Sequence, residues 1–244
     1  MLIEAARAER PRAGKDHDRL EMLPDLGRFA LFDGAAQAMA SDIAAQVFAD
    51  QHRQYDATTG FPLPLLNEVF EEIHKRIQEF QGEEAVVKAL GDKAKNIVTT
   101  GTALGLRQLE NSRGTVIREY AHAGDSSLWM FDYDAGQLIK LTEDEVIGND
   151  SENCLPDIRN WLGSPEHELT QWLGTPLKTD HAAFALMSDG VTSFEAKRGK
   201  VDEPEIEEIL RGDASPRSKA DRLISASAVR DDASVIVVEF RADK

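Results

Sequence analysis

Apolar residues along this chain come in short runs that stop abruptly at Asp-Gly. Phe29-Ala30-Leu31-Phe32 runs into Asp33-Gly34, and Phe184-Ala185-Leu186-Met187 runs through Ser188 into Asp189-Gly190. A short apolar run bounded by turn residues reads as a buried strand. Each aspartate then stands at the exposed end of its strand, and Gly34 lets the backbone turn tightly beside it. Two such strands can bring two carboxylates to one rim of a sheet.

After the first Asp-Gly the pattern becomes helical. Ala36, Met39, Ala40, Ile43, Ala44, Val47 and Phe48 recur at the spacing of one buried helix face. Pro62 and Pro64 interrupt the chain. A second stripe then runs through Leu66, Val69, Phe70, Ile73, Ile77 and Phe80, up to Gly82, with a further short helix expected over 83–90. From 97 to 104 the residues turn β-prone. Strands are expected at 115–120, 127–133 and 137–139, separated by turns at Gly124-Asp125 and Asp134-Ala135-Gly136, which together make an antiparallel meander. Leu20-Glu21-Met22-Leu23 is a short first strand. Residues 142–181 are polar and irregular, with Trp161 and Trp172 expected to anchor local packing. Helices at 203–211 and 216–228 precede a strand at 235–240. Residues 1–14, charged and Ala-rich, read as a flexible lead-in or an edge segment. No internal repeat or long linker divides residues 15–244, which read as a single domain. The class is α+β, a sheet sandwich covered by helices.

Composition narrows the partners. The 244 residues are 41% hydrophobic, enough for a real core, and the formal net charge is −16. Such a surface repels nucleic acid and anionic membrane, and argues against both as partners. It also repels a phosphate ester unless bound cations intervene. Cys154 is the only cysteine, which excludes an intramolecular disulfide and a Cys-rich zinc site. No signal-peptide apolar region or stretch of membrane-spanning length is present, so the expected location is the cytoplasm.

Four acids flank apolar strands: Asp18, Asp33, Asp189 and Asp231. Carboxylate oxygens are hard ligands, suited to Mg²⁺ or Mn²⁺. Two carboxylates 4 Å apart repel by about 4 kcal/mol at an effective dielectric of 20. A cluster of them therefore needs cations or protons. One Asp-Gly alone reads better as a turn; the order and context of all four carry the signal.

That order resembles the metal-dependent protein phosphatases of the 2C type (the PPM family), from about Asp16 to Phe240. The matching stretches are His17-Asp18-Arg19, Phe32-Asp33-Gly34, Gly101-Thr102-Ala103, Gly124-Asp125-Ser126, Ser188-Asp189-Gly190 and Asp231-Asp232-Ala233-Ser234. The resemblance implies a four-layer α/β/β/α sandwich of two antiparallel sheets flanked by helices, with 142–181 as a flap-like insertion over the site. It implies two Mn²⁺ or Mg²⁺ ions bridged by Asp33. Asp189 and Asp231 would hold one, and the Gly34 carbonyl would help hold the other, with Asp18 in the same acidic set. A water acidified by the ions would attack the phosphorus of phosphoserine or phosphothreonine in a protein substrate.

The departures from the family pattern are specific. His17 stands where a metal-ligating Glu is usual; either His17 or a neighbour such as Asp16 substitutes, or the second site is weak. Ala35 stands where some members carry a His. Arg12, one position off the usual spacing, and Lys15 are the basic candidates for phosphate. Ser193 replaces a third-metal aspartate, leaving Asp125 as that ion's other ligand. Asp232, where Asn is usual, adds negative charge. An alternative is therefore a catalytically weakened or inactive relative that binds phosphoproteins as a regulatory module. A third reading, a serine esterase built on Ser126 with His122 or His181 as base, lacks a Gly-x-Ser-x-Gly elbow. The substrate protein and the oligomeric state are not legible.

Overall fold

The apolar runs become two antiparallel sheets of five strands each. The computed structural model describes residues 1–11, 16–34, 38–54, 63–108, 115–147, 157–158, 160–165, 167, 171–192, 201–227 and 232–242. In chain order the strands are β1 (Leu2–Arg10), β2 (Arg19–Leu23), β3 (Arg28–Gly34), β4 (Thr99–Gln108), β5 (Val116–Ala123) and β6 (Ser127–Asp132). They continue with β7 (Gln137–Lys140), β8 (Val146–Ile147), β9 (Asp157–Ile158), β10 (Gln171–Pro176), β11 (His181–Met187) and β12 (Ala233–Arg241). The helices are α1 (Met39–Arg53), α2 (Leu66–Gln81), α3 (Glu84–Leu90), α4 (Asp189–Thr192), α5 (Glu203–Arg211) and α6 (Pro216–Ala226). One sheet has the order β1-β12-β11-β6-β7 and the other β10-β5-β4-β3-β2; β8 and β9 form a separate pair.

Alternation along the strands explains the layering. Phe29, Leu31, Leu104 and Leu106 from one sheet meet Met130, Phe184, Leu186, Ile236 and Val238 from the other, filling the space between them. The opposite faces are apolar as well. Phe32, Ala103 and Ala121 pack on Phe48 of α1 and on Val69, Phe70 and Ile73 of α2. Phe131, Ala185 and Val237 pack on Ile206 and Ile209 of α5 and on Leu223 of α6. This is the expected four-layer α/β/β/α sandwich. Because both sheets are covered on both faces, their central strands read as continuous apolar runs.

Three local expectations change. Of the two readings of residues 1–14, the lead-in fails for Leu2–Arg10, which pairs along its full length with β12 as an edge strand. An edge strand with one open side keeps polar residues, and only Ala8 in it is buried. Within 142–181, Gln171–Pro176 is not irregular: it extends the second sheet beside β5. Trp172 lies there, 42% exposed, so its ring covers little core, although its indole N–H donates to Glu119 at 3.0 Å. Among the described residues, no helix is long and apolar enough to cross a membrane.

Candidate metal centre

Antiparallel pairing brings the acidic motifs to a common rim. Arg19 opposes Phe32, so Asp18, just before β2, lies beside the end of β3 that carries Asp33 and Gly34. Gly34 in turn opposes Thr99 at the start of β4. Met187 at the end of β11 opposes Val235 near the start of β12 and Ser127 at the start of β6. Asp189, Asp232 and the β5–β6 turn containing Asp125 therefore share that end of the sandwich.

Electrostatics shows how near these groups are. Burial pushes Asp18 up to about 7, and Asp232 adds to the rise, while Ser234, Asp33 and Ser188 oppose it. Burial also drives Asp33 well above the usual carboxylate range, reinforced by Asp18, Asp189 and Asp125. Asp33 is partly exposed as a residue, yet its carboxyl is enclosed by these neighbours. Asp125 is pushed up to about 8, by burial first and then by Asp189. Neighbouring carboxylates thus raise the proton affinity of Asp33 and of Asp125, as like charges do in a poorly solvated site. Both oxygens of Asp18 are buried without a hydrogen-bond partner. A buried carboxylate left so is costly unless a cation or proton meets it.

The backbone around the rim is firmly held. The Ser188 amide donates to the Ser234 carbonyl, and the Ser234 amide donates to the Ser188 hydroxyl, each at 3.0 Å. Gly190 lies so close to β12 that a Cβ there would sit 1.8 Å from the Asp232 carbonyl oxygen. The Thr99 hydroxyl donates to the Asp33 carbonyl at 2.7 Å. The His17 amide donates to Asp232 Oδ2 at 2.9 Å, and Ser41 of α1 donates to the His17 carbonyl. Arg19 clamps the same segment, reaching Asp42 of α1 and the carbonyls of Asp16 and Asp18.

The structure therefore brings Asp18, Asp33, Asp125 and Asp189 into one electrostatic neighbourhood, with Gly34 at its edge and His17 attached through its backbone. Asp231, Arg12 and Lys15 lie outside the described residues, as do Ala35 and Ser193. Among the described residues no three acidic, histidine or cysteine side chains close onto one point at ligating distance. The donor chemistry nonetheless fits a hard divalent cation: all-oxygen, crowded, and including a buried carboxylate with both oxygens unused. Thr99 and the reciprocal Ser188–Ser234 contacts were not singled out from sequence, because a Thr or Ser in a β-prone run carries no local sign of what it will hold.

The esterase reading fails here. Ser126 shares a hydrogen bond with Thr100 at 3.0 Å. His122 is buried and spends Nε2 on the carbonyls of Gly124 and Glu143.

No protein-family model matches the chain, and no curated protein matches it. Solved structures do. The Mycobacterium tuberculosis serine/threonine phosphatase PstP/Ppp is 20% identical, with a TM-score of 0.73, covering 99% of this chain and 100% of that one. The catalytic domain of the serine/threonine phosphatase PstP, solved with two manganese ions, is 18% identical with a TM-score of 0.71, and 99% of each chain is covered. PppA, described as a key regulatory component of T6SS in Pseudomonas aeruginosa, is 17% identical with a TM-score of 0.71, covering 100% of this chain and 99% of that one. The fold is that of the PPM serine/threonine phosphatases.

Proposed function

We propose that this protein hydrolyses phosphoserine or phosphothreonine in proteins, using two Mn²⁺ or Mg²⁺ ions held at the acidic rim. The observation that carries this reading is the convergence of Asp18, Asp33, Asp125 and Asp189, with the Asp18 oxygens buried and unpartnered. The proposed ligands are Asp33, the Gly34 carbonyl, Asp189 and Asp231, with Asp18, His17 and Asp125 as further candidates and Arg12 or Lys15 for the substrate phosphate. When bound, the ions would supply Lewis acidity and offset charge on a transferring phosphoryl group.

The chain's own part is positional. Thr99 fixes the carbonyl of Asp33, and with it the turn into Gly34. The paired serines lock the ends of β11 and β12, which carry Asp189 and Asp232. Arg19, held by Asp42 and by its own segment's carbonyls, steadies the loop that carries Asp18. Mutual repulsion keeps the carboxylates primed for cations.

The test is hydrolysis of p-nitrophenyl phosphate and of a phosphothreonine peptide. Turnover should require Mn²⁺ or Mg²⁺, stop with EDTA, and vanish in Asp33→Asn. Absence of cation-dependent turnover on both substrates overturns the reading.

A second reading, a catalytically weakened regulatory module that binds phosphoproteins, is favoured by the lack of a closed three-ligand group among the described residues. Calorimetric binding of a phosphopeptide without turnover would select it.

A further inference from the structure

Residues 160–165, together with His167, form a strap that runs between α2 and the start of β4. At one end Leu162 pairs with Thr99, amide to carbonyl in both directions, at 2.9 and 3.2 Å. Thr99 is the residue whose hydroxyl holds the Asp33 carbonyl. At the other end the strap is fastened to α2 through histidine. The Gly163 amide donates to His74 Nδ1 at 3.1 Å, and Gln81 donates to the Gly163 carbonyl at 3.0 Å. The His167 ring stacks on His74, centroids 4.3 Å apart and planes 28° from parallel. The His167 side chain is 4% exposed. Its Nδ1 meets Asn160 Oδ1 at 2.5 Å, and its buried Nε2 lies 3.8 Å from Glu71 Oε1, beyond hydrogen-bond distance.

This geometry needs a neutral His74 imidazole. His74 Nδ1 accepts a bond from a backbone amide, so it must present a lone pair. A proton there would set one donor against another. Two stacked rings in a poorly solvated site also resist both becoming charged. We propose that the stacked His74–His167 pair is a proton-sensitive latch on the strap, and that opening it loosens Thr99 and, through Thr99, the Asp33 segment. The last link rests on the reading of the Asp33 rim as a cation site; the latch itself does not.

Burial holds both imidazoles below the ordinary histidine range, and His74 lowers His167 further. Among the described residues, the charged group bearing on both rings is Glu71, one turn earlier on α2, which opposes the shift. The sign follows by linkage. The docked strap binds fewer protons than the released one, whose histidines titrate near 6.5. Docking is therefore fully stable above that pH and weakens as pH falls through it.

Amide hydrogen exchange reads the latch directly. Protection at Leu162, Gly163 and Thr99, corrected for intrinsic rates, should fall about tenfold from pH 7.5 to 5.5. His74→Asn places an amide oxygen near the acceptor position but takes up no proton, so it should abolish that fall. Unchanged protection in the wild-type protein, or an equal fall in H74N, overturns the latch. If H74N fails to fold, His167→Phe keeps the stack and removes the second charge; an equal fall there also overturns it. Mn²⁺ affinity at pH 5.5, measured by calorimetry, should be weaker in wild type than in H74N. Equal affinities overturn only the link to Asp33, and no Mn²⁺ binding by wild type at pH 7.5 overturns the functional reading while leaving the exchange result intact.

Discussion

Arg28 on β3 reaches Glu119 on β5 across the whole width of β4, passing over Gly105. Arg28 and Glu119 both oppose Gly105 in their strand pairs, and the two side chains meet at 2.7 Å. Their side chains are 2% and 8% exposed. Glu119 also accepts from the Leu66 amide at the start of α2 and from the Trp172 indole. Burial tends to raise the Glu119 carboxyl, but Arg28 and these donors outweigh it and hold it below the usual range.

Glu119→Ala should therefore be among the most damaging single changes outside the rim. It strands a buried guanidinium and two N–H donors, and removing one partner of a buried pair costs about 3–5 kcal/mol. Urea unfolding measures this; a loss below about 1 kcal/mol would contradict it. Gly105→Ala should be comparably harmful, because its methyl would lie 1.6 Å from an Arg28 nitrogen.

Asp33→Asn should raise the stability of the cation-free protein while removing its response to Mn²⁺. The Asp33 charge is opposed by burial and by Asp18, Asp189 and Asp125, so neutralising it relieves repulsion. A gain of about 1 kcal/mol corresponds to about 2–4 °C in Tm for a chain of this size. Calorimetric scans with EDTA and with Mn²⁺ test both halves, and a lower Tm in EDTA would count against the crowded-rim account.

Acid should erode stability through His52 and His122. Burial pushes each down to about 4, whereas the unfolded chain takes up those protons near 6.5. The folded state binds fewer protons between those values. Stability is thus complete above 6.5 and lost as pH falls toward 4, at up to about 1.4 kcal/mol per pH unit for each histidine. His122→Gln retains an N–H donor for the Gly124 carbonyl but does not titrate. Its stability should fall less steeply than wild type between pH 6.5 and 4.5, and parallel curves would refute the assignment.

Gly190→Ala should disrupt the rim from its backbone. The added methyl meets the Asp232 carbonyl oxygen at 1.8 Å, which no side-chain rotation can relieve. Overpacking of this kind costs about 1–3 kcal/mol, and Mn²⁺ affinity should fall with it. Wild-type Tm and affinity together would be the contrary result.

The sequence exposes what is local and hides what is not. Phe29-Ala30-Leu31-Phe32-Asp33-Gly34 announces a buried strand ending in an acid, and that strand is β3. The stripe from Met39 to Phe48 lies in α1 and that at 66–80 in α2, while Ala36 lies outside the described residues. Of the edge strands of the two five-stranded sheets, β2 and β7 are legible in the pattern, whereas β1 and β10 are harder to see. Leu2–Arg10 shows Ala and charge rather than alternation, and Gln171–Pro176 carries Gly174 and Pro176, which read as breakers. Pairings such as Arg28 with Glu119, or the His17 amide with Asp232, join residues 91 and 215 positions apart, and no periodicity encodes them. Lys219, wholly buried against Glu239 and Tyr133, sits among Ala220, Leu223 and Ile224 on the buried face of α6, where its charge alone reads as solvent-facing.

The place of β12 in its sheet has a consequence for biosynthesis. It lies between β1 and β11, so the amino-terminal strand waits for residues 233–241 before it can hydrogen-bond to its neighbour. A nascent chain emerging from the ribosome can complete the β10-β5-β4-β3-β2 sheet long before that. Through this interval the sheet bearing Asp33 can be complete, while β11, which leads into Asp189, still lacks its β12 neighbour. Assembly of the rim is therefore a late event: a truncated translation product lacking β12 would still carry Asp18, Asp33, Asp125 and Asp189, but not the strand whose Ser234 holds Ser188 beside Asp189.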